Sequence, residues 1–167
     1  EGDRIRIPGM AAEIQVMELP GHTAGHVAYL TEGALFCGDT LFAGGCGRVF
    51  DGTFAQLSAS LRRIAGLSPA SQIYCAHEYT LANLGFAAWV EPHSKRLEQR
   101  TQAARAQRAR GEPTVPSTLA LELATNPFLR TGEPDVIRAA ERYSGRSLAG
   151  HRAVFTALRT WKDREYD

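Results

Sequence analysis

The stretch MELPGH, residues 17–22, sets the pattern from which the fold is predicted: an apolar, strand-like run stops at Pro-Gly and is followed at once by a histidine. The same design recurs in LFCGD at residues 35–39 and in IYCAH at residues 73–77. In α/β proteins, ligand-binding side chains gather just beyond the ends of strands. We therefore expect the last residue of each stretch to lie at one edge of a sheet.

These last residues, His22, Asp39 and His77, are candidate metal ligands. Two imidazoles and a carboxylate suit Zn, Fe or Mn better than Cu(I) or an iron–sulfur cluster, and neutral imidazoles favour an acidic bound water. Taken singly, Asp39 could cap a turn and His77 could be a hydrogen-bonded core histidine; three repeats of one design favour the metal site. His26 is interpreted as a supporting or structural residue, because the neighbouring Pro and Gly exclude a metalloprotease helix.

The rest of the pattern predicts an α/β segment followed by an all-α segment, with the boundary near residues 77–80. Strands are expected at 4–7, 13–19, 27–31, 34–37 and 71–76, with a hairpin turn at Glu32-Gly33 and a helix over about 53–66 that Thr53 and Gln56 cap. Beyond His77 we expect helices at 80–90, 94–110, 117–124, 134–143 and 148–164, and no further strand.

Composition narrows the class of protein. The net charge is +1, but residues 1–94 carry five basic and nine acidic side chains, whereas residues 95–167 carry fourteen and nine. This asymmetry is typical of a solvated helical surface; the alternative is a basic half that attracts an anionic ligand. The basic residues show no aromatic interleaving, so nucleic acid is not an expected partner.

The three cysteines form no CxxC pair, and Cys37 and Cys75 are expected to be plain buried thiols. No apolar run approaches the length of a membrane span, so no membrane partner is expected. A reducing, cytoplasmic location fits best.

Longer motifs resemble one family. PGHTAGH at 20–26 and GDTLF at 38–42 resemble motifs of the metallo-β-lactamase superfamily. Its glyoxalase II (hydroxyacylglutathione hydrolase) branch is resembled more specifically by AGGCGR at 43–48, AHEYT at 76–80, TVPST at 114–118, TNPFLR at 125–130 and LRTWKD at 158–163.

The resemblance implies a fold and a reaction. Residues 1–78 would be the carboxy-terminal half of an αββα metal-binding domain, and residues 79–167 a helical glutathione-binding domain. The implied site holds two divalent metal ions, with zinc favoured and iron or manganese also compatible. His22 would bind one ion, His77 the other, and Asp39 would bridge them. A metal-bridging hydroxide would then hydrolyse S-D-lactoylglutathione to glutathione and D-lactate.

The resemblance also implies contacts with the anionic glutathione moiety from Arg48, Tyr79, Arg159 and Lys162. Arg159 and Lys162 are three residues apart, so on a helix they share a face and could grip a carboxylate; an ordinary solvated face is the alternative. Phe50 stands where many relatives carry Tyr, which removes one hydroxyl from the substrate site.

The second metal motif of the superfamily, HxHxDH, does not occur in these 167 residues, because no two of the five histidines are separated by a single residue. We therefore expect that the amino-terminal half is absent, that sheet faces are left exposed, and that this chain alone hydrolyses the thioester poorly or not at all. The missing half, or a second chain that supplies it, is the expected partner. The alternatives are a non-catalytic or truncated relative that binds glutathione conjugates, and a persulfide dioxygenase.

Overall fold

The computed structural model describes residues 1–9 and 11–166. The first part of the chain forms strands β1 (Arg4–Arg6), β2 (Glu13–Glu18), β3 (Val27–Thr31), β4 (Ala34–Gly38), β5 (Leu41–Phe42) and β6 (Gly45–Cys46), then helix α1 (Phe54–Ala65) and strand β7 (Gln72–Cys75). The later part forms helices α2 (Thr80–Val90) and α3 (Lys95–Ala109), strand β8 (Ser117–Thr118), and helices α4 (Leu119–Thr125), α5 (Pro134–Ser144) and α6 (Gly150–Glu165). The predicted sequence of α/β and then mostly helical structure is confirmed.

Six strands form one mixed sheet in the order β1-β2-β3-β4-β7-β8. Each pair is antiparallel except β4 and β7, which are parallel. Strands β2, β4 and β7 consequently run in one direction and end at the same edge. This topology is what brings the residues that follow them, His22, Asp39 and His77, to one place.

Local chemistry explains where these elements begin and turn. Glu32 and Gly33 both have positive φ, 40° and 80°, as the tight β3–β4 hairpin requires. The Thr53 side chain accepts a hydrogen bond from the Gln56 backbone N–H, so Thr53 caps α1 as its spacing with Gln56 predicts. The apolar stripe of α1, which includes Leu57, Leu61 and Ile64, is buried in the core.

The sheet has one buried and one exposed face. Leu35 and Ile73 belong to the buried core. On the other side, Val16, Tyr29, Phe36 and Tyr74 are successive cross-strand partners, and Tyr29 and Phe36 are 41% and 43% exposed. An exposed apolar row on the sheet agrees with the expectation from the sequence.

Strand β8 corrects one prediction. Residues 117–124 were expected to be wholly helical, but Ser117 and Thr118 pair with Ile73 and Gln72, and the helix begins at Leu119. Two residues are too few to show an alternating pattern, and their pairing is long-range. Since β8 adds an element of the later part to the sheet, the division at residues 78 and 79 stays a prediction. Within the described residues, no helix combines the length and apolar character that crossing a membrane requires.

Candidate metal centre and cationic cavity

One cavity of about 470 Å³ contains every site residue expected from the sequence. It lies where the ends of β4 and β7 meet the β5–β6 hairpin, α2 and α6. Its walls include the eight expected residues, which are His22, Asp39, Arg48, Phe50, His77, Tyr79, Arg159 and Lys162.

The His22 ring is held by the backbone. Its Nδ1 lies 2.8 Å from the carbonyl oxygen of Arg48. A carbonyl oxygen can only accept, so Nδ1 is the donor, and in the neutral ring Nε2 carries the lone pair. That Nε2 faces Oδ2 of Asp39 at 3.3 Å. Two electron-rich atoms thus face each other, which is the arrangement that a shared cation stabilises.

The Asp39 carboxylate is poorly satisfied by the protein. Its Oδ1 is buried and has no hydrogen-bond partner among the described residues. It lies 3.5 Å from Nε2 of His77, but that contact lacks hydrogen-bond geometry. Leaving a buried acceptor unmatched costs about 1–3 kcal/mol, and more for a charged group. A cation bound at Asp39 would remove this cost.

These donors fit a divalent cation chemically, because imidazole nitrogen and carboxylate oxygen are ordinary zinc, iron and manganese ligands. Within residues 1–9 and 11–166, however, no three His, Cys, Asp or Glu side chains already form a cluster able to hold a metal ion. The described chain offers its donors in pairs around Asp39. A complete site therefore requires further ligands or a small rearrangement.

Close backbone packing at two glycines restricts the positions of Asp39, His22 and His26. A Cβ atom on Gly47 would lie 2.0 Å from the Asp39 carbonyl oxygen and 3.1 Å from His22 Nδ1, so only glycine fits there. A Cβ on Gly38, whose φ is 53°, would lie 2.8 Å from His26 Nε2. His26 Nε2 is also 3.3 Å from the Cys37 carbonyl oxygen. These contacts support the interpretation of His26 as a structural residue.

Two cysteines near the site, Cys37 and Cys46, are buried thiols with raised pKa values. Burial raises the pKa of the Cys37 thiol to about 12 and that of Cys46 to about 11. Both groups are therefore protonated at neutral pH. Cys37, Cys46 and Cys75 are all free thiols; Cys37 is buried as expected, whereas Cys75 is only partly buried.

Arg159 and Lys162 of α6, together with Arg48, form a cationic wall of the cavity. The alternative expectation for the α6 pair was an ordinary solvated surface. Arg159 and Lys162 are only 0% and 5% exposed. Arg159 donates to the Cys46 carbonyl oxygen at 3.1 Å and, through Nε, to Asp163 Oδ1 at 3.1 Å. Its Nη2 forms an ion pair with the same carboxylate oxygen at 2.9 Å, and the guanidinium lies over the Phe128 ring. The solvated-face interpretation of this pair is wrong, because the helix presents both cations to the interior.

Aromatic rings line the mouth of the cavity. Tyr79 stacks on His77 with ring centroids 5.0 Å apart, and Phe42 contacts Tyr79 edge-on. Phe50 is 72% exposed and meets the His22 ring edge-on at 4.9 Å. Glu78, beside His77, accepts from the Thr114 backbone N–H at 3.1 Å and from its hydroxyl, which agrees with a structural role.

Comparison with known proteins gives two family matches. Residues 78–165 match the family described as "Hydroxyacylglutathione hydrolase C-terminus", and residues 1–77 match the family described as "Metallo-beta-lactamase superfamily". The chain is 56% identical over 162 residues to a hydroxyacylglutathione hydrolase of Halorhodospira halophila, covering 97% of this chain and 63% of the relative. It is 60% identical over 149 residues to one of Alkalilimnicola ehrlichii, covering 89% and 58%. The chain thus spans about three fifths of the length of these relatives.

Solved structures agree on the fold. The crystal structure of the BLEG-1 B3 metallo-beta-lactamase matches with a TM-score of 0.50 at 23% identity, covering 75% of this chain and 44% of that one. A metallo-beta-lactamase from Staphylococcus aureus matches with a TM-score of 0.51 at 20% identity, covering 96% and 41%. At this identity the likeness concerns the fold alone, and it confirms the expected metallo-β-lactamase-like architecture.

Proposed function

The chain belongs to the hydroxyacylglutathione hydrolase family, and we propose that it carries part of the active site of a metal-dependent thioester hydrolase. The proposed reaction converts S-D-lactoylglutathione and water to glutathione and D-lactate. The observation that carries the proposal is that one cavity is lined both by the Asp39 carboxylate, whose Oδ1 has no hydrogen-bond partner among the described residues, with two histidines and by three basic residues, Arg48, Arg159 and Lys162.

His22, Asp39 and His77 are proposed as ligands of two divalent cations, with zinc favoured by the donor set. His22 and His77 would each hold one ion, and Asp39 would contact both, because its two oxygens face the two histidines separately. Bound cations would supply Lewis acidity, which makes water a nucleophile at neutral pH and stabilises the oxyanion that forms at the thioester carbonyl.

The other residues of the cavity are proposed to hold the glutathione moiety. Glutathione is anionic, and Arg48 and Lys162 bring positive charge to the lining of the cavity that also contains Asp39. Tyr79 supplies a hydroxyl, while Phe50 supplies an apolar surface without one. Arg159 is proposed to act in the same wall, although its guanidinium already donates to Cys46 and Asp163.

Two consequences follow from this proposal. The three ligands cannot fill two coordination spheres, so we propose that further ligands come from a segment or chain outside these 167 residues. Residues 1–78 would then supply the metal ligands as well as Arg48 and Phe50, and residues 79–167 the rest of the glutathione-binding surface. The three free thiols support a reducing, cytoplasm-like compartment.

The proposal is tested by supplying those ligands. The chain would be co-produced with the segment of the Halorhodospira halophila relative that lies outside the match, and thiol release from S-D-lactoylglutathione would be followed with a thiol reagent. We expect little or no turnover by the chain alone, turnover by the assembled pair with zinc, and loss of turnover in Asp39→Asn. Glu112→Gln, at an exposed ion pair with Arg110, is the matched control.

Two results would contradict the proposal. An assembled pair that binds zinc but releases no thiol would exclude the hydrolase. Tight binding of glutathione to the metal-free chain, with no turnover in any assembly, would instead support a non-catalytic glutathione-binding protein.

A further inference from the structure

We infer that Glu122 and Asn126, which touch neither His22 nor Asp39, position both of these residues through the β5–β6 hairpin. This inference rests on the proposed function, because it concerns the same metal site. Glu122 and Asn126 are one turn apart at the end of α4, and both are fully buried. We call them the hairpin clamp.

Glu122 anchors the tip of the hairpin. Its Oε2 accepts from the Gly44 backbone N–H at 2.9 Å and from the Asn126 side-chain amide at 3.1 Å. Its Oε1 accepts from the Ser117 hydroxyl at 2.6 Å and from the buried Arg100 guanidinium. All four donors converge on one carboxylate, so neither oxygen can turn without losing a partner.

Asn126 anchors both strands of the hairpin. Its Nδ2 donates to the carbonyl oxygens of Gly45 at 2.9 Å and Phe42 at 3.3 Å, while its Oδ1 accepts from the Phe128 backbone N–H at 3.1 Å. The Gly45 backbone passes so close to α2 that a Cβ there would lie 2.5 Å from Asn83. The hairpin therefore has little freedom to shift relative to α2 and α4.

The chain that leaves the hairpin forms the floor of the metal site. Gly47 passes against the carbonyl of Asp39, and the next residue, Arg48, offers the carbonyl oxygen that accepts from His22 Nδ1. Displacing the hairpin would move this carbonyl and release the His22 ring. The clamp thus acts as a positioning device for the direction in which the His22 Nε2 lone pair points.

The experiment uses Glu122→Gln. An amide has one acceptor oxygen, and Arg100 would draw that oxygen to its side, so the amide NH2 would oppose the Gly44 N–H and the Asn126 NH2. Glu91→Gln is the matched control, because Glu91 is also buried and paired with an arginine, Arg130, but does not touch the hairpin.

The main measurement is the ¹⁵N spectrum of the His22 ring in the metal-free 167-residue chain, recorded at a pH high enough for the ring to be neutral. We expect the Nδ1–H tautomer in the wild type and in Glu91→Gln, and a mixture of both tautomers in Glu122→Gln. In the assembly that completes the site, zinc affinity measured by calorimetry should fall about tenfold in Glu122→Gln, as for other groups that orient metal ligands, and about twofold or less in Glu91→Gln. An unchanged His22 tautomer in folded Glu122→Gln would overturn the inference.

A wild-type measurement covers the case in which Glu122→Gln does not fold. In the wild type, the Gly44 amide hydrogen should exchange with solvent as slowly as the amide hydrogens of the core strands. Fast exchange would show that the hairpin clamp does not hold the hairpin. Failure of the proposed function would be recognised separately, by a wild type that binds no zinc in any assembly. The tautomer and exchange measurements need no metal, so they test the hairpin clamp independently.

Discussion

Two carboxylates near the β5–β6 hairpin differ in how completely the fold satisfies their hydrogen-bonding oxygens. Glu122 is fully buried and receives four donors, one of them a buried guanidinium. Asp39, at the end of β4, keeps a buried oxygen that no described group satisfies. The first carboxylate is fully hydrogen-bonded within the fold, whereas the second keeps an acceptor that the proposed cation would satisfy. This contrast separates scaffold from site within one small region.

The largest effect on the free energy of unfolding is expected when the Glu122 carboxylate is removed. Glu122→Ala would leave the Arg100 guanidinium buried and unpaired, which typically costs 3–5 kcal/mol. The free energy of unfolding, measured with urea, should fall by about that amount. Glu112→Ala, which removes an exposed partner of Arg110, should leave the urea midpoint almost unchanged. Equal losses in both variants would erase the contrast.

Removal of the Asp39 carboxylate should affect stability differently, with an effect that depends on zinc. In the metal-free chain, Asp39→Asn should raise the free energy of unfolding by about 1 kcal/mol or more, because it removes a negative charge whose buried Oδ1 has no hydrogen-bond partner among the described residues. In an assembly that completes the site, zinc at a hundred times its dissociation constant should stabilise the wild type by about 2.7 kcal/mol and the variant hardly at all. Thermal unfolding with and without zinc checks both halves, and an equal zinc effect on both proteins would exclude Asp39 as a ligand.

A third change moves Asp39 without altering its chemistry. Gly47→Ala would place a Cβ atom 2.0 Å from the Asp39 carbonyl oxygen, and such overpacking costs about 1–3 kcal/mol. The matched variant is Gly66→Ala, where the nearest atom would lie at an ordinary 3.4 Å. Urea unfolding should separate the two, and a Gly47→Ala protein as stable as Gly66→Ala would show that the floor of the site yields easily.

The smallest effect concerns a carboxylate at the surface. Hydrogen bonds from Arg4 and then Arg6 lower the pKa of Glu13 below its ordinary value of 4.5. A lowered folded pKa means that the stabilisation is complete above pH 4.5 and is lost as the pH falls through the folded pKa. The melting-temperature difference between wild type and Glu13→Gln should therefore be small at neutral pH and vanish in strong acid. A difference that grows in acid would reverse this sign.

The elements, and the gathering of the candidate site residues in one cavity, were predictable where a local sequence pattern repeats. Strand ends marked His22, Asp39 and His77, and Thr53 marked the start of α1. The burial of Arg159 was not predictable, because its partner carbonyl at Cys46 lies 113 residues earlier in the chain. Roles of the individual site residues stay predictions until ligands are bound.

The buried polar pair behind the hairpin escaped notice for a related reason. Arg100 falls between Leu97 and Ala104 on the buried face of α3, so a charged residue occupies an apolar-stripe position. That irregularity was a usable signal, since a buried guanidinium needs a buried acceptor. Its identification as Glu122 required the packing of α3 against α4.

Strand β8 links the helical part of the chain to the stability of the sheet. Pairing with Ser117 and Thr118 completes β7, although 41 residues separate Cys75 from Ser117. Helices α2 and α3 lie between β7 and β8 in the chain, so the edge of the sheet is formed by a segment of the helical part. We therefore expect the two parts of the molecule to unfold as one cooperative unit, with coincident melting curves for the strands and the helices.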